Sequence, residues 1–118
     1  MAGVRLTVYP EREQNNFQYV VAEIDAAEAG LSRDELLAVL KAENVLARRY
    51  FFPGCHRMMP YSAEAPAGRW SLPETERLSD RVLAFPTGTA VGAAEIGTIC
   101  EIVRAALAQA REIKAHGR

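Results

Sequence analysis

Lysine is almost missing from this chain: Lys41 and Lys114 are the only two, and arginine supplies every other basic side chain. Basic and acidic residues number 14 and 15, for a net charge of −1. A general nucleic-acid binder needs a basic excess to neutralise phosphates, so that class is excluded. Cysteine is equally scarce. Cys55 and Cys100 make neither a disulfide framework nor a set of metal ligands. Of the two histidines, His56 sits mid-chain and His116 lies in the tail, which frays and suits no metal site. No apolar run approaches the ~20 residues that span a bilayer. The opening Met1-Ala-Gly-Val-Arg-Leu-Thr-Val lacks the charged region, apolar run and cleavage site of a secretory leader. These absences point to a cytoplasmic protein with no membrane partner. Internal repeats, low-complexity tracts and obvious linkers are also lacking, so residues 1–118 read as one domain.

What is present suits a folded domain. The chain is 49% hydrophobic and 25% charged, which is ordinary for a soluble protein. A chain of this length buries roughly 65% of its unfolded surface, enough for a core. The bias toward arginine fits oxyanion recognition, although a compositional bias of the source explains it more simply.

Val4, Leu6 and Val8 alternate with Arg5, Thr7 and Tyr9, the period of a half-buried strand. Phe17 to Ile24 reads as a second strand, apolar on both faces and therefore central in a sheet. Ser32 and Glu35 have the spacing of a capping box, with Leu31 and Leu36 as its staple. The helix they open carries Leu36, Leu37, Val39 and Leu40 inward and ends near Asn44, a residue that tolerates a left-handed cap. Ser62 to Arg69 reads as a loop, Pro73 starts a short helix, and Val82 to Phe85 is a short strand. The last helix spans about Ala93 to Ala115, with Ile96, Ile99, Val103, Leu107 and Ala110 on one face. The order β-β-α-β-α-β-α predicts an α+β fold: a small antiparallel or mixed sheet covered by helices.

The densest chemistry lies between Asn44 and Tyr61, N-V-L-A-R-R-Y-F-F-P-G-C-H-R-M-M-P-Y. Val45 to Phe52 reads as a strand. Pro53 ends it because it has no N–H to donate, and Gly54 permits the turn. A strand that delivers a polar loop is a common scaffold for a site. Alternation sends Arg48 and Arg49 to opposite faces, so only one can face a given cleft, the face it shares with Tyr50 being that of Arg48. These groups suit a phosphate or sugar hydroxyls; a solvated strand is the plainer reading. Cys55-His56 suggests a thiolate and base, but adjacent residues rarely face each other and no orienting third group is evident. A packed cysteine beside a loop histidine is the simpler account.

Three blocks in register resemble the C-terminal part of the DegT/DnrJ/StrS-type sugar aminotransferases. Asn15-Asn16-Phe17-Gln18-Tyr19-Val20-Val21 resembles that family's N-[YH]-Q-Y-x-V strand. Arg48-Arg49-Tyr50-Phe51-Phe52-Pro53-Gly54-Cys55-His56 resembles its R-x-Y-[FY]-Y-P-x-x-H segment. Leu72 to Gly88 resembles its P-x-[TA]-E-x-L-x-x-R-V-L-x-L-P block. Phe52 departs from the family's tyrosine, Pro60 is displaced by one place, and the family's large N-terminal domain has no counterpart.

The resemblance implies the small C-terminal domain of a fold-type-I enzyme that uses pyridoxal phosphate (PLP). It implies that Arg48, Tyr50, His56 and Tyr61 line the side of the cleft that receives a sugar nucleotide. PLP itself needs a Schiff-base lysine, a partner for its pyridine nitrogen and a phosphate cup. In the family these belong to the large domain, so no cofactor is expected in this chain and none of its residues is expected to be catalytic. The resulting expectation is a fragment of a PLP-dependent nucleotide-sugar aminotransferase acting on a keto-deoxyhexose. It would contribute substrate contacts and an interface, work with a separate large domain, and self-associate when alone. The alternative is a stand-alone, non-catalytic α+β module for binding or oligomerisation.

Overall fold

The computed structural model describes residues 1–64 and 71–116. Four strands form one antiparallel sheet: β1 (Val4–Leu6), β2 (Val20–Ile24), β3 (Arg48–Arg49) and β4 (Val82–Phe85), in the order β1-β2-β4-β3. Six helices accompany it among the described residues: α1 (Ala26–Ala29), α2 (Arg33–Ala42), α3 (Tyr61–Glu64), α4 (Pro73–Ser79), α5 (Ala93–Ala108) and α6 (Ala110–His116). This is the expected α+β architecture, with the sheet wholly antiparallel. None of the described helices is long and apolar enough to cross a membrane.

Local signals explain most boundaries. Ser32 Oγ accepts from the Glu35 N–H at 3.2 Å, and Glu35 Oε2 accepts from the Ser32 N–H at 2.7 Å. The capping box is thus closed, and both staple residues, Leu31 and Leu36, are fully buried. Asn44 takes φ 60° and ends α2 as its side chain allows, while the Val45 N–H reaches back to Leu40 O at 2.7 Å. β2 is central, as its two apolar faces suggest. Ala22 pairs with Leu6 on one side and Leu83 on the other. Ile24, Leu31, Leu36, Leu40 and Leu83 make the centre of the core, and Val103 and Ala106 of α5 close it.

Five boundaries differ from the sequence reading. β1 ends at Leu6 rather than running on through Val8, which is exposed. β2 starts at Val20 rather than Phe17, because Phe17 turns the chain at φ 49°. The third strand shrinks to Arg48–Arg49: Val45 and Ala47 are buried beyond the ladder, and Phe51 turns at φ 47°. The final helix breaks at Gln109, which lets Ala110 pack beside Gly30. Ser62 to Glu64 belong to the helical turn α3, and the rest of the expected 62–69 loop lies outside the described residues. One helix escaped notice. α1 is capped by Asp25, whose Oδ1 accepts from the Ala27 N–H at 3.1 Å, and ends on left-handed Gly30. Gly3 lets the N-terminus lie flat on that helix, since a Cβ at Gly3 would overlap the backbone of Ala29.

Candidate functional site

The segment from Arg48 to Tyr61 leaves the sheet at β3 and runs through a tight turn into a 3-10 turn at Cys55–Arg57 and then α3. Arg48 pairs with Ala84, and Arg49 pairs with Leu83. Their side chains therefore leave on opposite faces, as alternation requires. Arg49 belongs to the helical side. Its Nε donates to Asp34 Oδ1 at 2.9 Å, and its guanidinium lies 4.7 Å from the centre of the Phe52 ring. Arg48 is exposed and has no ion-pair partner among the described residues.

Tyr50, half-buried, meets Tyr19 edge-on at 5.5 Å and Phe51 at 4.6 Å between ring centres. Tyr9 extends the group: its hydroxyl donates to Tyr19 O at 3.2 Å, and its ring meets Phe17 at 5.7 Å. Phe17 and Phe51 both hold left-handed backbone, φ 49° and 47°, and both present exposed rings. Bulky residues occupy that region at a cost of about 1–3 kcal/mol each, so the surroundings must fix them there. The result is an aromatic cluster that joins the chain two residues after Arg48.

His56 is held inward. Its side chain is only 8% exposed, with Nε2 at 3.2 Å from Glu76 Oε1. Donation from Nε2 to that carboxylate leaves the enclosed Nδ1 without a partner. Arg57 Nη2 holds the other oxygen of Glu76 at 2.9 Å. Burial opposes the charge on Glu76, but the His56 hydrogen bond and the Arg57 charge outweigh it and draw the carboxyl below its ordinary 4.5. The turn is therefore bolted to α4. Gly54 makes room for it: at φ 98° a Cβ there would come within 2.9 Å of the His56 ring. Tyr61 opens α3 with its side chain exposed.

Beneath the turn lies a second anchor. Arg33 is the first residue of α2, where the helix dipole disfavours a cation. It is nonetheless buried, its side chain only 1% exposed. Its Nη1 donates to Ser79 O at 2.8 Å and to Val82 O at 3.0 Å, and its Nε donates to Asp34 Oδ1 at 2.6 Å. Its guanidinium lies 5.1 Å from the centre of the Phe52 ring. The ring of Phe52, rather than a hydroxyl at that position, is what both arginines use.

Of the four expected site residues, Arg48 is exposed on β3, Tyr50 is half-buried against Tyr19 and Phe51, Tyr61 is exposed after the turn, and His56 is enclosed against Glu76. The sequence reading missed Arg33, Asp34, Glu76 and Tyr19. A cation at the first position of a well-capped helix is the one signal that pointed to Arg33; nothing local links Glu76 to His56. The arrangement can bind an anion or hydroxyl-rich ligand through a guanidinium and phenols. It offers no nucleophile and base: Cys55 is exposed, but the Nε2 of His56 is engaged and its Nδ1 enclosed. No group of three metal-ligating side chains occurs among the described residues. Lys41 and Lys114 are both exposed on helix surfaces, so neither fits a Schiff-base lysine, which must be enclosed and partly desolvated.

Residues 1–104 match the model of the DegT/DnrJ/EryC1/StrS aminotransferase family. The chain belongs to that family. Within it, the chain is 31% identical over 86 residues to the dTDP-4-amino-4,6-dideoxy-D-glucose transaminase of Escherichia coli, covering 71% of this chain and 23% of the relative. The crystal structure of DesI in the presence of its TDP-sugar product superposes with a TM-score of 0.85 at 44% identity, over 98% of this chain and 29% of DesI. The aminotransferase TlmJ from Streptoalloteichus hindustanus superposes at 0.70 with 25% identity, over 90% of this chain and 26% of TlmJ. The chain thus spans about a quarter of the length of the family members it matches. The family is PLP-dependent.

Proposed function

We propose that this chain is a single folding unit of a nucleotide-sugar aminotransferase, supplying substrate contacts and an interface while the cofactor chemistry lies with polypeptide outside it. The observation that carries this reading is the overlay of nearly all of this chain on 29% of DesI at 44% identity, beside an exposed Arg48 and exposed aromatic rings built on held backbone. Arg48 takes a negatively charged oxygen of the nucleotide diphosphate, a role in which arginine's planar fork is effective. Tyr50 and Tyr61 offer hydroxyls to the sugar. His56 acts at one remove: with Glu76 it holds the turn from which Tyr61 departs. A keto-deoxyhexose carried on dTDP is the substrate class; in support, the E. coli relative is named for dTDP-4-amino-4,6-dideoxy-D-glucose and DesI was crystallised with its TDP-sugar product.

The test is kinetic. The chain is combined with the part of DesI outside the matched 29%, and steady-state amination of a dTDP-keto-deoxyhexose is followed. Arg48→Ala should raise KM for the sugar nucleotide at least tenfold with kcat changed less than threefold. Unchanged KM in Arg48→Ala, Tyr50→Phe and Tyr61→Phe alike would overturn the assignment of substrate contacts to this surface.

A further inference from the structure

Two arginines meet under the turn that follows β3. Arg33 Nε lies 2.6 Å and Arg49 Nε 2.9 Å from the same carboxylate oxygen, Asp34 Oδ1. Both guanidiniums also approach one ring, that of Phe52, at 5.1 and 4.7 Å from its centre. Like charges this close repel, and Arg33 is enclosed, so water screens the pair poorly on that side. Two groups offset the repulsion: the Asp34 carboxylate and the negative face of the aromatic ring. Burial opposes the charge on Asp34, but the hydrogen bonds and charges of Arg33 and then Arg49 outweigh it and draw the carboxyl below its ordinary 3.8.

What this cluster holds is β3. That strand has two residues and pairs with β4 alone. So short a ladder fixes a strand weakly. The Arg49 side chain supplies the anchor that the ladder lacks, by joining β3 to α2 through Asp34. Phe52 closes the same unit three residues further on. Arg33 ties the unit to the rest of the fold, since its Nη1 donates to Ser79 O at the end of α4 and to Val82 O at the start of β4. Phe52 is 36% exposed and lies outside the buried core, so packing alone does not account for a ring there. Arg48 and Tyr50 flank Arg49 in the sequence, and their places follow from where Arg49 and Phe52 are fixed.

We propose that Arg49 and Phe52 are positioning residues for substrate binding: the cluster they form with Arg33 and Asp34 sets where Arg48 and Tyr50 meet the sugar nucleotide. This rests on the reading of Arg48 and Tyr50 as substrate contacts. Arg49 and Phe52 act through the backbone of β3 and its turn, not by touching substrate. Binding groups work when held within about 0.5 Å of their productive place. Without the ring the two cations move apart, Arg49 leaves Asp34, and β3 shifts with Arg48 on it. The ring matters here rather than its bulk. Leucine keeps an apolar side chain and loses the π face that attracts a guanidinium, whereas tyrosine keeps that face.

The 118-residue chain is assayed together with the part of DesI outside the matched 29%. Phe52→Leu should raise KM for a dTDP-keto-deoxyhexose at least fivefold with kcat changed less than threefold, and Phe52→Tyr should bring KM back to within twofold of the parent. Arg49→Met, which leaves the ring in place, should match Phe52→Leu and replaces it if that variant does not fold. Amide exchange in the chain alone reads the backbone. The Gly54 N–H donates to Phe51 O at 2.8 Å and should exchange at least tenfold faster in both variants, while Arg57 and Met58, held through Glu76, keep their rates. Unchanged KM in Phe52→Leu and Arg49→Met, with KM raised in Arg48→Ala, would overturn the positioning role while the substrate assignment stands. Equal loss of protection at Gly54, Arg57 and Met58 would mark a general loosening and overturn it as well, as would a KM in Phe52→Tyr as high as in Phe52→Leu. Unchanged KM in Arg48→Ala and Tyr50→Phe alike, or no turnover by the unmodified mixture, would remove the substrate reading and this inference together.

Discussion

Replacing Arg33 with methionine removes one guanidinium while keeping most of the apolar stem. The side chain is 1% exposed, so water does not reach what it leaves behind. Its Nη1 serves two backbone carbonyls, Ser79 O at 2.8 Å and Val82 O at 3.0 Å. Each buried acceptor left without a donor costs about 1–3 kcal/mol. Loss of the guanidinium over Phe52 adds about 0.5–2 kcal/mol. The Asp34 pair adds little, because that carboxylate is half exposed and keeps Arg49. Relief from burying a charge works the other way. We predict a net loss of about 2–5 kcal/mol, a large share of the 5–15 kcal/mol that holds a typical domain together. With a urea m value of about 2 kcal/mol/M, the midpoint should fall by about 1–2.5 M at unchanged m. Arg33→Lys should fall between, since an ammonium cannot reproduce the planar fork. A midpoint for Arg33→Met within about 0.3 M of the parent, again at m of about 2, would refute the reasoning.

Gly54→Ala should cost about 1–3 kcal/mol, since it strains a backbone at φ 98° and presses a methyl onto His56; an unchanged denaturation midpoint would count against that geometry. Glu76 is drawn below its ordinary 4.5, so its grip on the turn is present above that value and is lost as pH falls through the lowered one. Amide-exchange protection at Arg57 and Met58, whose N–H groups close the 3-10 turn, should therefore drop in acid, and Glu76→Gln should show that loss already at neutral pH. Equal protection in parent and Glu76→Gln across this range would show that the carboxylate does not hold the turn. With Phe17, Phe51, Leu6 and Ile96 all exposed, the isolated chain should self-associate at micromolar concentration, and sedimentation as a monomer throughout that range would contradict this.

Elements whose signals are local were legible in the sequence. The Ser32/Glu35 box, the Asn44 stop, the Pro73 start and the Val82–Phe85 strand are all present. Tertiary effects were not. Phe17 and Phe51 have strand propensity, yet both turn into left-handed backbone and shorten their strands. Ile96 belongs to the apolar stripe of α5 and is still exposed, because periodicity marks a face without saying what covers it. At the site, residue type and alternation correctly separated Arg48 from Arg49. The bolt between His56 and Glu76 spans 20 residues, and the Arg33 anchor reaches carbonyls 46 and 49 residues away. Pairings of that range leave no periodic trace in a single sequence.

The central claim is that this chain is one working part of a sugar aminotransferase, and one reconstitution tests it most directly. The 118-residue chain, the part of DesI outside the matched 29%, and an equimolar mixture of the two are each supplied with PLP, an amino donor and a dTDP-keto-deoxyhexose, and the aminated sugar nucleotide is quantified. The account predicts no turnover by the chain alone, little or none by the DesI part alone, and at least a hundredfold gain in the mixture. Turnover by the chain alone, with saturable uptake of PLP discharged by the donor, would contradict it, and so would a mixture no more active than the DesI part by itself.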